Sequence, residues 1–176
     1  TIIYYNDKDC KCNKIKDFGK GWSMNKEANL KEEIIEEYQE DLLKLLRYLP
    51  FLEQKGGKDV QNFYEGDGEH TIIPVPVYDS TLLGFVKEAR STKFMNRNYP
   101  YAYRKWRMPD PAAERAAMES ATLRDIDLFR GIISKYVLEG QRKAVMWTTA
   151  VEERIFVTAL SKLKTLFFED MKRKVP

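Results

Sequence analysis

The chain has 176 residues, of which 43% are hydrophobic and 32% are charged. This length fits one domain with a sizeable core, and the composition excludes a disordered chain. The formal net charge of +3 is too small to identify a nucleic-acid-binding protein by itself. Only a local concentration of charge can indicate such a function.

The N-terminal residues and the cysteines bear on location. The stretch TIIYYNDKDC, residues 1–10, has too short an apolar run before its first charged residue for a secretory signal. Cys10 and Cys12 are separated by one residue, so a disulfide between them would close a small, strained ring. No stretch approaches the roughly 18 apolar residues of a membrane helix. We therefore expect a cytoplasmic protein with reduced thiols and no membrane partner.

Residues 1–25 are rich in Asp, Asn, Lys and Gly and predict an irregular N-terminal segment, followed by a single helical domain over residues 26–176. The first helix is predicted over residues 28–49, because apolar residues recur there at helical spacing. Its apolar stripe comprises Leu30, Ile34, Tyr38, Leu42, Leu45, Leu46 and Leu49. Pro50 is expected to end this helix.

The next part of the chain is interrupted by Gly56 and Gly57. The stretch KDVQNFY, residues 58–64, fits a short helix. The run TIIPVPV, residues 71–77, alternates like a strand, but its two prolines lack an amide donor. This run therefore predicts a polyproline-like segment or an edge strand.

Two further helices are marked by caps. Asp79 or Ser80 can cap a helix that extends to about Arg90. Asp110 and Pro111 supply an N-cap and a first helical residue for an alanine-rich helix that ends near Ser120.

The last two predicted helices cover residues 122–139 and 150–168. Thr122 and Asp125 resemble a capping box at the start of the first, and Gly140 stands at its C-terminal end. The second has a wide apolar stripe and is expected near the centre of the core. The sequence thus predicts an all-α, single-domain bundle of about five helices, with one Pro-containing extended segment.

No catalytic or metal-binding motif is complete. A Ser–His–acid or Cys–His site would have to use His70, the single histidine. Cys10 and Cys12 offer two thiolates, whereas a structural zinc site needs about four ligands. A helical di-metal site would need Glu-x-x-His motifs, which do not accompany Glu32, Glu33, Glu36 and Glu37. A calcium loop would need a terminal Glu, which does not follow Glu65, Asp67 and Glu69 at the required spacing. We predict no catalytic residue, no metal site and no cofactor.

One positive signal lies in residues 87–107, which carry seven cationic side chains and one acidic one, a net charge of +6. Aromatic residues are interleaved among the cations, as in proteins that stack bases and follow phosphates. The candidate nucleic-acid-binding residues are Arg97, Tyr99, Tyr101, Tyr103, Arg104, Lys105, Trp106 and Arg107.

The same segment could instead have a structural role, in which its aromatic residues pack against the core. In an extended chain, Tyr99, Tyr101 and Tyr103 would point to one side and pack against the core, with Arg104 on the other side. Arginines could then pair with the acidic face of the first helix. We expect a division of labour in which the tyrosines pack and the cations face water.

Three stretches resemble an uncharacterised family of small bacterial proteins, often encoded on conjugative and other mobile elements of Gram-positive bacteria. They are YDSTLLGFVKEARSTKFMNRNYPYAYRKW, DIDLFRGIISKYVLEGQRKAVMWTTAVEERIF and ALSKLKTLFF, within residues 78–168. The resemblance implies a bacterial accessory protein but no known activity, so it assigns no functional residue. It also implies that the turn from Gly140 to Trp147 is characteristic of the fold.

The leading hypothesis is a non-enzymatic cytoplasmic accessory protein that binds a partner, either protein or nucleic acid. One alternative is nucleic-acid binding through residues 87–107. Another is a metal-independent enzyme with an Arg, Tyr and carboxylate site, which a deep pocket lined by such groups would favour. A homodimer formed through an exposed apolar face is a third.

Overall fold

The computed structural model describes residues 18–58, 61–64 and 75–169, with side chains for residues 29–58 and 77–168. Within these residues the fold is all-α, as predicted, with one short β-ribbon. The helices are α1 (Phe18–Leu46), α2 (Leu49–Lys55), α3 (Ser80–Arg90), α4 (Tyr99–Trp106), α5 (Pro111–Ser120), α6 (Ile126–Glu139), α7 (Val145–Glu152) and α8 (Ile155–Lys164). The strands are β1 (Gln61–Tyr64) and β2 (Val75–Tyr78).

Helix α1 is longer than predicted at its N-terminal end. It begins at Phe18, so the prediction of an irregular segment is wrong for residues 18–25. Gly and Asn lower helix propensity there without forbidding the helix, and no proline interrupts the run. The apolar stripe is confirmed for Ile34, Tyr38, Leu42 and Leu45, which are buried, but not for Leu30, which is 42% exposed. Residues 1–17 lie outside the described part of the chain.

The C-terminal end of α1 also differs from the prediction. The helix ends at Leu46, and Pro50 lies in the first turn of the separate helix α2. A proline is tolerated at that place because the first amides of a helix have no intrahelical partner. Leu49 and Leu52 of α2 are buried, so the second helix continues the packing of the first.

Strands β1 and β2 pair antiparallel, with Phe63 opposite Pro76. The predicted helix over residues 58–64 is wrong for residues 61–64, because strand pairing with β2 overrides a weak local preference. The edge-strand alternative is confirmed for residues 75–77. A sheet of two strands has only edges, so the missing amide of Pro76 is tolerated there.

The predicted helix caps are present. Asp79 Oδ1 accepts a hydrogen bond from the Thr81 amide at 2.8 Å, and Asp110 Oδ1 accepts one from the Ala113 amide at 2.8 Å. Thr122 donates its amide to Asp125 Oδ2 at 3.0 Å, which closes the predicted capping box. A single 3₁₀ turn over residues 123–125 follows this box and leads into α6.

The predicted helix over residues 150–168 is divided in two. Arg154 adopts a left-handed conformation with φ of 57°, which separates α7 from α8. The Gly57 amide donates to the Val151 carbonyl at 3.1 Å, so the end of α2 packs against this break. Beyond α8, residues 165–169 continue as a π-helical turn.

Helix α8 lies at the centre of the core, as predicted. It contacts α1, α2, α5, α6 and α7. Ile155, Phe156 and Leu163 are fully buried. The Phe156 ring packs edge-on against Phe85 of α3, with ring centroids 4.8 Å apart. In the described part of the chain, no helix is long and apolar enough to cross a membrane.

The turn between α6 and α7 is built around Gly140 and Trp147. Gly140 follows the last residue of α6, as predicted, but with an ordinary negative φ. It is needed for space, because a Cβ at this position would lie 2.0 Å from Trp147 Nε1. The same indole nitrogen donates to the Val137 carbonyl at 3.4 Å. These contacts fix the turn that carries Arg142 and Lys143.

Candidate nucleic-acid interface

The aromatic and basic segment forms helix α4, and the prediction of an extended chain is wrong. Pro100 lies in the first turn, where its fixed φ favours a helix start. The helix ends at Trp106, and the next residue, Arg107, has a left-handed φ of 51°. Side chains are therefore sorted by the helical period of 3.6 residues and not by odd and even positions.

The inner face of α4 packs against α6. Ala102 is 2% exposed and lies against Gly131, where an added Cβ would be only 2.5 Å from the Ala102 Cβ. Tyr99, Tyr103 and Trp106 are half-buried and lie on the same face, at spacings of four and three residues. The absence of a side chain at Gly131 thus allows the two helices to approach closely.

A buried carboxylate ties α4 to two other helices. Glu114 of α5 is fully buried. Its Oε1 accepts hydrogen bonds from the Tyr103 hydroxyl at 2.7 Å and from Lys135 Nζ at 2.9 Å, and its Oε2 accepts one from the Tyr136 hydroxyl at 2.8 Å. We call these four residues the Glu114 cluster. They belong to α4, α5 and α6.

The Lys135 ammonium lies between its carboxylate partner and two aromatic rings. Its Nζ is 4.3 Å from the centroid of the Tyr103 ring and 5.1 Å from that of Tyr136. Both distances are within the range of cation–π attraction. The charge of Glu114 is therefore balanced inside the protein, which is the condition under which a buried carboxylate is tolerated.

The hydroxyl groups of the Glu114 cluster are hydrogen-bond donors and not bases. Burial, and then the charge of Glu114 and the hydrogen bond to it, raise the pKa of Tyr103 far above 10. The same causes, in the same order, raise the pKa of Tyr136. Both tyrosines thus stay protonated at neutral pH. Glu114 is closed to solvent and its two oxygens are occupied, so the cluster holds helices together.

The outer face of α4 carries the predicted cations. Arg104 and Lys105 are exposed, and they lie three and four residues beyond Tyr101, which is 58% exposed. These three side chains, which we call the α4 outer face, share one side of the helix. Lys105 Nζ also lies 4.1 Å from the centroid of the Trp106 ring. Arg97 and Arg107 are exposed beside the two ends of α4.

The predicted division of labour holds for the cations and for Tyr103, but not for Tyr101. Tyr101 faces water because it lies half a helical turn away from both Tyr99 and Tyr103. The predicted pairing of arginines with α1 is also wrong. The contact with α1 is made by Lys93, whose amide donates to Asp41 Oδ2 at 2.8 Å. Arg97, Arg104, Lys105 and Arg107 form no ion pair with any residue that the structure describes.

A cavity of roughly 450 Å³ opens beside the first turn of α4. It is lined by Tyr99, by Glu139 at the end of α6, and by Arg142 and Lys143 of the following turn. Burial, and then the Glu139 carboxylate beside it, raise the pKa of Tyr99. Of these four residues, the sequence predicted only Tyr99 as a candidate. The others lie about 40 residues further along the chain, and no local pattern links them to α4.

The acidic side chains of the described residues do not form a metal site. Over residues 18–58, 61–64 and 75–169, no three His, Cys, Asp or Glu side chains are grouped to hold a metal ion. Glu32, Glu33, Glu36 and Glu37 are exposed on α1. His70, Cys10, Cys12 and the acidic residues Glu65, Asp67 and Glu69 lie outside the described residues.

Comparison of the chain with protein-family models, with curated proteins and with solved structures gives no match. A function therefore has to be inferred from the side chains and their surroundings. The resemblance to proteins of mobile elements stays a hypothesis.

Proposed function

We propose that the protein is a non-enzymatic accessory protein that binds nucleic acid through the α4 outer face. The observation that carries this proposal is the exposed group of Tyr101, Arg104 and Lys105, in which neither cation is paired with an acidic residue of the described chain. Arg97 and Arg107 extend the same positive charge beyond the ends of the helix.

Physical chemistry favours a polyanion as the partner of this face. Each cation that contacts a phosphate releases a condensed counterion, which supplies much of the affinity for nucleic acid. The exposed Tyr101 ring offers a stacking surface, worth roughly 1–3 kcal/mol per base. The face is also preorganised, because the Ala102–Gly131 contact and the Glu114 cluster hold α4 in place before any partner arrives.

A protein partner is less well supported by the same face. Protein–protein interfaces are depleted in lysine but use tyrosine and arginine, so it is the net positive charge of this face that favours a polyanion. The exposed large apolar side chains of the described residues lie on several elements: Leu30 and Leu43 on α1, Val77 on β2, Leu83 on α3 and Val145 on α7. A homodimer that buries some of these side chains is the alternative.

Two places among the described residues could offer an enzyme a tyrosine, a cation and a carboxylate: the Glu114 cluster and the cavity. The Glu114 cluster is unsuitable, because Glu114 is 0% exposed and accepts three hydrogen bonds from its own chain. The cavity is open to ligands, but its groups are suited to recognition of charge. Binding is therefore the function that these side chains support best.

The proposed family and location agree with this function. A bacterial cytoplasmic protein, which the resemblance implies, would share its compartment with nucleic acid. The binding experiment is independent of this resemblance.

The experiment compares Arg104→Glu/Lys105→Glu with the wild-type protein. Binding of a labelled oligonucleotide of about 20 nucleotides is measured by fluorescence anisotropy at about 50 mM salt, in single-stranded and in duplex form. We expect the variant to lose at least about tenfold in affinity for both forms. Its thermal melting should be unchanged, because both side chains are exposed.

The matched control is Lys31→Glu/Lys164→Glu, which changes the net charge equally at exposed positions on α1 and α8. This control should lose much less affinity than the α4 variant. Equal losses in the two variants would indicate a nonspecific effect of net charge and would contradict the proposed site. No binding by the wild-type protein would exclude nucleic acid as the partner.

A further inference from the structure

The cavity beside α4 combines three kinds of recognition group in one place. Arg142 and Lys143 are exposed cations, Glu139 is a half-buried carboxylate, and Tyr99 contributes an aromatic ring. Tyr99 belongs to the first turn of α4, so the cavity lies beside the helix that carries the α4 outer face. The turn that carries the two cations is fixed by the packing of Gly140 against Trp147.

These groups match the parts of a nucleotide. A phosphate can bind the side chains of Arg142 and Lys143. A base can stack against the Tyr99 ring. A carboxylate accepts hydrogen bonds from the exocyclic amine of cytosine, and Glu139 retains acceptor capacity beside its contact with Tyr99.

From this arrangement we infer that the cavity binds one unpaired nucleotide of a single strand whose backbone continues over the α4 outer face. This inference rests on the proposed nucleic-acid function and specifies its substrate as single-stranded. The volume of roughly 450 Å³ lies within the range of pockets that enclose small ligands.

A duplex should be excluded from the cavity. Its bases are stacked, and their amines are already paired with the opposite strand, so seating one base would require that base to be flipped out at a cost in free energy. The α4 outer face can contact the phosphates of either form. The cavity is thus the part of the interface that distinguishes one form from the other.

The experiment measures affinity for single-stranded and duplex oligonucleotides of equal length with Arg142→Gln/Lys143→Gln. Lys31→Gln/Lys164→Gln serves as the charge-matched control. The wild-type protein should prefer the single strand by about tenfold or more, because duplex binding has to omit the cavity or flip a base. The cavity variant should lose most of this preference, and the control should keep it.

The outcomes separate this inference from the proposed function. The cavity binds no nucleotide if the cavity variant loses no more affinity than the control, or if it loses the same affinity for both forms. Either result would contradict this inference and leave the proposed function in place. If Arg104→Glu/Lys105→Glu binds normally while the cavity variant does not, the proposed α4 interface falls and the cavity remains the site. No wild-type binding to either form overturns both.

A second measurement tests the assignment of Glu139. Oligo(dC) offers an exocyclic amine at each base, whereas oligo(dT) offers a carbonyl in its place. The wild-type protein should prefer oligo(dC) by about fivefold, and Glu139→Gln should reduce this preference because an amide can both donate and accept. Equal affinity of the wild-type protein for the two oligonucleotides would overturn the assignment.

Discussion

Glu114 shows how a single side chain can organise the surface around it. Its two oxygens accept hydrogen bonds from α4 and α6, so one carboxylate of α5 connects three helices. Within the described residues, every buried side-chain nitrogen or oxygen atom has a hydrogen-bond partner. A satisfied polar network of this kind favours one arrangement of the helices over others. It therefore holds the outer face of α4 in a defined direction.

The titration of Tyr103 gives a prediction at the same scale. The pKa of Tyr103 is raised above 10 in the folded protein, so its hydroxyl stays protonated at a pH where an unfolded tyrosine ionises. The unfolded state then binds fewer protons than the folded state, and stability must fall as the pH rises above about 10. Tyr103→Phe should flatten this fall, although it loses a hydrogen bond.

The measurement is the free energy of unfolding in denaturant at about pH 8 and about pH 11. Tyr101→Phe is the matched control, because its ring is 58% exposed and has no contact with Glu114. The fall in stability between the two pH values should be smaller in Tyr103→Phe than in this control. The same fall in both variants would show that the Tyr103 hydroxyl is not held by Glu114.

At the scale of the element, helices were predictable where caps and apolar spacing agreed. The stripe of α1 and the caps at Asp79, Asp110 and Thr122 are of this kind. Helix α4 was missed because Tyr99 and Tyr103 fit both a strand and a helix. Only Tyr101 distinguishes the two periods, and its burial cannot be known from the sequence. The break at Arg154 was missed because it has neither glycine nor proline.

The close approach of α4 and α6 predicts an effect of Gly131. Gly131→Ala should destabilise the protein by about 1–3 kcal/mol, because the new methyl group would meet Ala102 and force the helices apart. Helix propensity alone predicts the opposite sign, since alanine is a better helix former than glycine by roughly 1 kcal/mol. Denaturant unfolding measures which effect is larger.

Gly84→Ala is a matched control for this prediction. It also replaces a glycine inside a helix, but the added Cβ would lie 3.5 Å from Tyr48, an ordinary contact distance. We expect this variant to be neutral or slightly stabilised. A stabilised Gly131→Ala protein would show that α4 and α6 are not in close contact.

At the scale of the whole molecule, the fold class and the position of the core followed from the sequence, but the candidate site did not. Apolar periodicity is a local signal, so it located α8 in the core correctly. The Glu114 cluster and the cavity join separate parts of the chain: Tyr103 and Glu114 are 11 positions apart, and Tyr99 and Lys143 are 44 positions apart. The local patterns of a single sequence carry no signal for contacts between residues so far apart in the chain.

The central position of α8 predicts a large effect of Leu163→Ala. Leu163 is 0% exposed, and its truncation should lower the free energy of unfolding by about 2–5 kcal/mol. Lys164→Ala, at the adjacent exposed position, should change it by less than about 0.5 kcal/mol. Similar small losses in both variants would place the core elsewhere.

The dependence of affinity on salt tests the central claim, that the α4 outer face binds the phosphates of nucleic acid, most directly. We expect the affinity of the wild-type protein for a single strand to fall steeply between about 50 and 200 mM salt. Neutralisation in Arg104→Gln/Lys105→Gln should reduce the slope of log affinity against log salt by about 1.4, since each phosphate contact contributes about 0.7 for a single strand. An equal slope in both proteins would contradict the account.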